Sequence, residues 1–241
     1  MIADKISLYN KEKNTRLSLK SVFFDMDGVL FDSMPYHAEA WVYAFETLDI
    51  PFTPYEVYMN EGRTGDRTID GVFLEILGRV ATEQEKKDLY AVKSQKFDEL
   101  NTITPFEGMY EFLKKIKALS LQRVIVTGSG QKSLLSNLET YYPSIFSADK
   151  MITAENVKIG KPNPEPYLKA LEKAKVQAHE AIVIENAPLG VESAVGAGIF
   201  TIAVNTGVLE DSVLEKAGAN VVYSSMADLY EKWDDLYACV K

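Results

Sequence analysis

Five short runs of apolar, β-branched or aromatic residues constrain this chain more than any other feature: SVFF (21–24), RVIVT (123–127), AIVIE (181–185), TIAVN (201–205) and NVVYS (220–224). Each is brief and almost uniformly apolar, as a strand buried on both faces must be. Between the later runs lie segments with apolar residues three and four apart: GMYEFLKKIKALS from Gly108, QKSLLSNLETYY from Gln131, PEPYLKALEKAK from Pro164 and PLGVESAVGAG from Pro188. Strand then helix, repeated, predicts an α/β fold with a Rossmann-like parallel sheet covered on both faces. The rhythm breaks once, because roughly a hundred residues separate the first strand from the second, far more than one crossover needs. Within that gap YHAEAWVYAFETL, DRTIDGVFLEILG and EQEKKDLYAVKSQKFDEL carry helical spacing. The expected division is a catalytic core of residues 1–34 plus 101–241 and an inserted α-helical cap of residues 35–100. The flanks DSMP and NTITPFEG serve as hinges. The first twenty residues read as a surface extension.

Composition narrows the function. With 35 acidic against 26 basic residues the net charge is −9, a field that repels phosphate backbones and anionic membranes. No nucleic-acid or membrane partner is expected. Cys239 is the sole cysteine, so an intrachain disulfide and a cysteine-based zinc cluster are excluded. The N-terminal stretch lacks the apolar core of a signal peptide, and the most apolar long window, from Ala181, is broken by Glu185, Asn186, Pro188 and Glu192. A cytoplasmic monomer is expected.

In open α/β sheets ligands sit beyond the carboxyl ends of the strands. Asp25-Met26-Asp27-Gly28 follow the first run, Thr127-Gly128-Ser129 the second and Glu185-Asn186 the third, and Gly160-Lys161-Pro162 precede a helix. Together they contain the parts of a phosphoryl-transfer site. Asp25 is the candidate nucleophile, since a carboxylate is ionised without a separate base. An attacking carboxylate and a phosphoryl group repel one another, so a Mg2+ ion is required. Asp25, the backbone carbonyl of Asp27 and Asn186 can supply hard oxygen ligands. Asp27 suits the acid and base that serves both the leaving group and the attacking water. Thr127, the amides near Gly128 and Ser129, and Lys161 can hold the phosphoryl oxygens. Taken singly, each is an ordinary turn, surface lysine or helix cap; their ordered joint occurrence favours the site. GSGQKS at Gly128 is not a P-loop, because Val126 and Gln131 stand where that motif needs glycine. No dinucleotide fingerprint follows the first strand.

This order of motifs resembles the haloacid dehalogenase superfamily, particularly its β-phosphoglucomutase and phosphoglycolate-phosphatase-like branch, over nearly the whole chain after Lys20. DMDGVL matches the first motif, Thr127 the second, Lys161 in GKPNPEPY the third and IENAPLGVESAVGAG the fourth. The resemblance implies that Asp25 is the nucleophile, Asp27 the acid and base, and Thr127 and Lys161 the phosphoryl holders. Where many relatives carry Glu-Asp, this chain has Glu185-Asn186. Altered metal affinity follows as an expectation, with Glu185 in a water-mediated outer shell.

In the cap, MNEGRTGDRT (59–68) resembles the family's specificity loop, with Gly62 at the recurring glycine. Arg63 can grip an anionic leaving group, Glu61 can bind hydroxyls, a proton or a metal-bound water, and Arg67 has a weaker claim. His37 matches a histidine frequent in this branch, and either touches the leaving group, gates closure or packs beside Trp41. Gly65 stands where a β-phosphoglucomutase pattern carries arginine, which favours a hydrolase of a small phosphorylated metabolite or pyrophosphate over a mutase. A phospho-receiver module is the non-enzymatic alternative, disfavoured by the cap and by Asp27. Asp32, near the hinge, is expected to support loop structure only.

Overall fold

The computed structural model describes residues 1–100, 103–129 and 132–241, the side chains of 132–135 and 148 excepted. Six parallel strands among them form one sheet: β1 (Ser21–Phe24), β2 (Gln122–Val126), β3 (Met151–Ile152), β4 (Ala181–Glu185), β5 (Phe200–Val204) and β6 (Val221–Tyr223), in the order β3-β2-β1-β4-β5-β6. The α/β class and all five expected strands are present, and β3 is additional. Helix α1 (Ile2–Lys13) precedes the sheet. Helices α2 (Met34–Glu46), α3 (Pro54–Asn60), α4 (Gly65–Leu77) and α5 (Glu83–Glu99) lie between β1 and β2. The others are α6 (Met109–Ala118), α7 (Lys132–Tyr141), α8 (Glu165–Ala174), α9 (Pro188–Gly196), α10 (Asp211–Lys216) and α11 (Met226–Val240). Gln131, and Asn101 and Thr102 of the expected exit hinge, lie outside the described residues.

Alternation along the strands explains why they read as uniformly apolar. Val22 and Phe24 join one core with Ile125, Ile182, Ile184 and Ile202, while Phe23 points the other way and packs with Val124, Val126, Val183 and Tyr167. β1 lies between β2 and β4, with Phe24 beside Ile125 and Ile184. The chain therefore proceeds to one side for β2 and β3 and returns to the other for β4. That reversal opens the crevice at the carboxyl ends in which ligands bind.

Helices α2 to α5 share an apolar cluster separate from the main core, including Met34, Trp41, Phe45, Phe52, Tyr58 and Phe73. Two paired crossings connect them to the sheet: Phe31 bridges to Pro105, and the Asp32 amide donates to the Thr104 carbonyl at 3.0 Å. Asp32 itself points to solvent. Among the described residues no helix is long and apolar enough to cross a membrane.

The first twenty residues are more than a surface extension. Ile6, Tyr9, Leu17 and Leu19 are buried in the main core, Tyr9 meets Phe200 edge-on at 5.4 Å, and its hydroxyl donates to the Gly198 carbonyl at 2.8 Å. Burial pushes that phenol up to about 12. Tyr9→Phe, losing one hydrogen bond, is expected to lower unfolding free energy by about 1 kcal/mol, and Tyr9→Ala by about 3–5 kcal/mol. Urea denaturation followed by circular dichroism measures both; equal effects would show that the ring contributes nothing beyond its hydroxyl.

Candidate active site

Asp25 is the first residue past β1, and its amide donates to the Ile184 carbonyl of β4, which holds the side chain at the sheet's edge. Its Oδ1 accepts from Lys161 Nζ at 2.5 Å. The same ammonium donates to Glu185 Oε1 at 2.6 Å and to the Val126 carbonyl at 3.0 Å. Lys161 is 1% exposed and Glu185 not at all. Burial pushes Asp25 up to about 8 against the pull of Lys161, with Glu185 and Asp27 adding to the rise. Burial alone would lower Lys161, but its two carboxylates outweigh it and raise the ammonium above its ordinary value. Glu185 Oε1 also accepts from Tyr167, and Oε2 from the amides of Asn186 and Ala187. Both its oxygens are therefore committed to Lys161, Tyr167 and backbone, rather than aimed outward as a water-mediated metal shell would need.

Asp27 belongs to a separate network. Its Oδ1 accepts from Ser33 Oγ at 2.6 Å and lies 3.0 Å from His37 Nε2, while His37 Nδ1 lies 2.8 Å from Lys93 Nζ. An ammonium has only donors, so Nδ1 is the acceptor and Nε2–H donates to Asp27. His37 is neutral in this arrangement, held below its ordinary value by burial and the charge of Lys93 against the pull of Asp27. Burial would raise Asp27, but His37, Ser33 and Lys93 outweigh it and hold the carboxyl low. Lys93, 2% exposed, is pushed down to about 8 by burial. The faces of Phe97, Trp41 and Tyr90, at 4.7, 5.5 and 5.9 Å, favour its cation. His37 stacks on Phe97 at 4.2 Å, so the structure gives it both a packing partner and a polar role.

The loop between α3 and α4 closes over this edge. Gly62 has φ +88°, and a Cβ on Gly128 would stand 2.4 Å from the Gly62 carbonyl oxygen. Only glycine at 128 lets the two backbones meet. Glu61, at the end of α3, reaches Asn186 Nδ2 at 2.9 and 3.1 Å through its two oxygens. Burial first, then Asp25, raises its carboxyl well above the ordinary value. Arg63 Nη1 donates to Asn60 Oδ1 at 2.6 Å, and Arg67 is exposed. A cavity of about 70 Å³ remains, lined by Asp25, Asp27, Glu61, Arg63, Thr127 and Lys93 among others, including His37, Gly128 and Ser129. Thr127 Oγ1 accepts from the Ser129 amide at 2.9 Å.

The family model for haloacid dehalogenase-like hydrolases matches residues 22–204. The chain belongs to this family. It is 32% identical to the phosphorylated carbohydrates phosphatase of Thermotoga maritima, over 83% of this chain and 92% of that one. It is 28% identical to the validoxylamine A 7'-phosphate phosphatase of Streptomyces hygroscopicus subsp. limoneus, over 78% and 86%. Among solved structures, a candidate β-phosphoglucomutase from Bacteroides vulgatus superposes with a TM-score of 0.96 at 47% identity, covering 100% of this chain and 98% of the other. The protein is thus an enzyme of phosphatase type, with phosphomutases among its kin, and the receiver alternative is set aside.

Enzymes of this family generally use Mg2+, and the residues of this haloacid dehalogenase-like hydrolase fit such an ion. Asn186 Oδ1 is buried and has no hydrogen-bond partner, while its Nδ2 is spent on Glu61. Asp25 uses Oδ1 for Lys161, which leaves Oδ2. A Cβ on Gly28 (φ +76°) would collide with Asn186 Nδ2 at 2.0 Å, so glycine is what admits the amide here. Among the described residues no three His, Cys, Asp or Glu side chains group as a metal site; the candidate set is one carboxylate, one amide and one backbone carbonyl. Sequence reasoning missed Ser33 and Lys93. The signal for Lys93 was present, since it sits between Leu89 and Phe97 at spacings of four on the buried face of α5. Lys161→Met would leave Asp25 and Glu185 without a counter-charge and is expected to lower stability by about 3–5 kcal/mol. Adding Asp25→Asn should recover part of that loss in urea denaturation; no recovery would show that the deficit lies elsewhere.

Proposed function

We propose that this enzyme is a Mg2+-dependent phosphohydrolase acting on a small phosphorylated substrate through a phosphoryl group carried on Asp25, with residues 35–100 as a cap over a core of 1–34 and 101–241. The observation that carries the reading is the separation of two neighbouring carboxylates into different networks. Asp25 is paired with a buried ammonium and Asp27 with a histidine relay. Without a metal's charge Asp25 is held high and Asp27 low; a Mg2+ ion on Asp25 would favour its ionised, nucleophilic form, while the His37 network lets Asp27 carry protons.

In this reading Asp25 Oδ2 attacks phosphorus and the leaving oxygen departs with a proton from Asp27; water then attacks the acyl phosphate, gives its proton to Asp27 and frees Asp25. Asp27 rests ionised, so before acting as an acid it must gain a proton, and His37 Nε2–H, backed by Lys93, is within reach to deliver it. Thr127 and the loop at Gly128 and Ser129 receive the phosphoryl oxygens. A magnesium ion held by Asp25, the Asp27 carbonyl and Asn186 would neutralise charge between the attacking carboxylate and the phosphoryl group. Lys161 keeps Asp25 in place beneath the cavity.

The cavity favours a small leaving group. At about 70 Å³, room for a handful of waters, it favours pyrophosphate or a short phosphoester over a hexose phosphate. Arg63 and Lys93 line it, cations suited to an anionic leaving group. A hydrolase is favoured over a β-phosphoglucomutase because Gly65, where the mutase pattern carries arginine, lies against the Tyr90 ring, with a Cβ there 2.4 Å from the ring carbons. No side chain from this position can grip a second phosphate.

Phosphate release should be measured with pyrophosphate, p-nitrophenyl phosphate, phosphoglycolate and hexose 1- and 6-phosphates, with and without a chelator. Turnover is expected to be highest on the smallest anionic substrates, to stop on chelation and return with Mg2+, and to fall at least about 10⁴-fold in Asp25→Asn, which removes the nucleophile. Retained activity in that variant would eliminate the aspartyl-phosphate route. Glucose 6-phosphate accumulating from β-glucose 1-phosphate without phosphate release would replace the hydrolase with the mutase.

A further inference from the structure

The cap meets the core at a second place, away from the specificity loop. The turn after β5, residues 205–210, runs beneath α3. A Cβ on Gly207 would lie 2.5 Å from Cε1 and 2.7 Å from Cδ1 of Tyr58, so the phenol ring is pressed onto bare backbone. Two residues on, Leu209 is buried within the cap's own apolar cluster, the cluster that also contains Val57 and Tyr58. The turn is fixed from the core side: Asn205 Nδ2 donates to the Leu209 carbonyl at 2.8 Å and to Asp211 Oδ1 at 2.6 Å. Thr206 Oγ1 donates at 2.6 Å to the carbonyl of Gly28, one residue past Asp27. It therefore joins the catalytic turn on one side to the cap on the other.

Helix α3 ends at Asn60, and Glu61 follows it. Tyr58 lies three residues before Glu61, less than one helical turn of about 5.4 Å, so a shift imposed on the ring reaches Glu61 almost undiminished. The Glu61–Asn186 contacts, 2.9 and 3.1 Å, have little slack before they exceed hydrogen-bonding range. We infer that the 205–210 turn is a seat that sets the height of α3, and that Gly207 and Tyr58 are positioning residues which place Glu61 on Asn186 when the cap is down. Gly207 is not in the positive-φ region, so its backbone admits alanine, and only the Tyr58 ring requires glycine. The inference rests on the reading of Glu61 as part of the working site.

A size swap tests it. In Gly207→Ala the new methyl should force the ring back by about 1 Å, to ordinary van der Waals separation. Displacements of that size lower rates by about ten- to a hundredfold, and a loss in kcat/KM within that range is expected with p-nitrophenyl phosphate. Hydrogen exchange at the amides of residues 57–65 should rise about tenfold, with those of β1 and β4 unchanged. Tyr58→Leu, which empties the seat from the cap side, should loosen the same amides, and Gly207→Ala combined with Tyr58→Leu should restore both readouts. In a Glu61→Ala background Gly207→Ala should cost nothing further in kcat/KM. Unchanged exchange at 57–65 in both single variants, no restoration in the combined one, or full additivity with Glu61→Ala would each overturn the proposal. If the wild type releases no phosphate from the probe, the functional reading fails on its own, while the exchange measurements still decide the seat.

Discussion

Lys161 Nζ stands between Asp25 and Glu185 at 2.5 and 2.6 Å, in a place where water has almost no access. Two buried carboxylates without that cation would repel each other and lose their solvation together, and the arrangement is tolerable only because every remaining lone pair on Glu185 finds a donor. Much of the site follows from satisfying this group of charges. Gly190 must be glycine, since its Cβ would fall 1.9 Å from Glu185 Oε1. Tyr167 is buried completely so that its hydroxyl can reach the same oxygen. The stem of Lys161 lies under the cap loop, its Cδ 3.1 Å from where a Gly62 Cβ would be. The cation paired with Asp25 thus also forms part of the floor beneath the cap loop.

A second constraint is charge bookkeeping around Asn186. An aspartate at 186 would add a carboxylate to a cluster already holding Asp25, Asp27 and Glu185, whereas the amide adds none and can donate to Glu61. The acid omitted from the core is matched by one carried on the cap, Glu61, whose carboxyl burial and Asp25 raise well above the ordinary value. Asp27 stays out of this balance because Ser33 and His37 bind it separately.

The sheet and the four motifs were legible in the sequence because strands buried on both faces leave continuous apolar runs, and because three of the motifs lie at the ends of those runs and the remaining one, with Lys161, just before a proline-started helix. β3 was not, since two residues, Met151 and Ile152, are too few to form a pattern. Helix α1 was hidden by its polarity: in IADKISLYNKEK only Ile6 and Tyr9 are buried, and the anchor of Tyr9 is a carbonyl 189 residues away. The aspartates, Thr127 and Lys161 fell where expected, yet the partners that set their protonation, Ser33 and Lys93, come from elements that meet the site only in three dimensions. Gly207 was likewise silent, because a glycine after a strand reads as a turn and its reason lies in Tyr58.

The cavity's size bears on how such a site treats its intermediate. On the proposed route a phosphoryl group on Asp25 must meet water before the site can turn over again, and the cavity of about 70 Å³ shared by Asp25 and Asp27 is where the two would meet. A mutase has the opposite requirement: its product must leave the nucleophile, reverse and return with its other end, which needs either space or a second anchor. Here Tyr90 lies against Gly65 and the cap loop lies directly on Gly128. On the proposed hydrolase route, the same glycines that let the cap come so near leave water, rather than a second hydroxyl, as the acceptor.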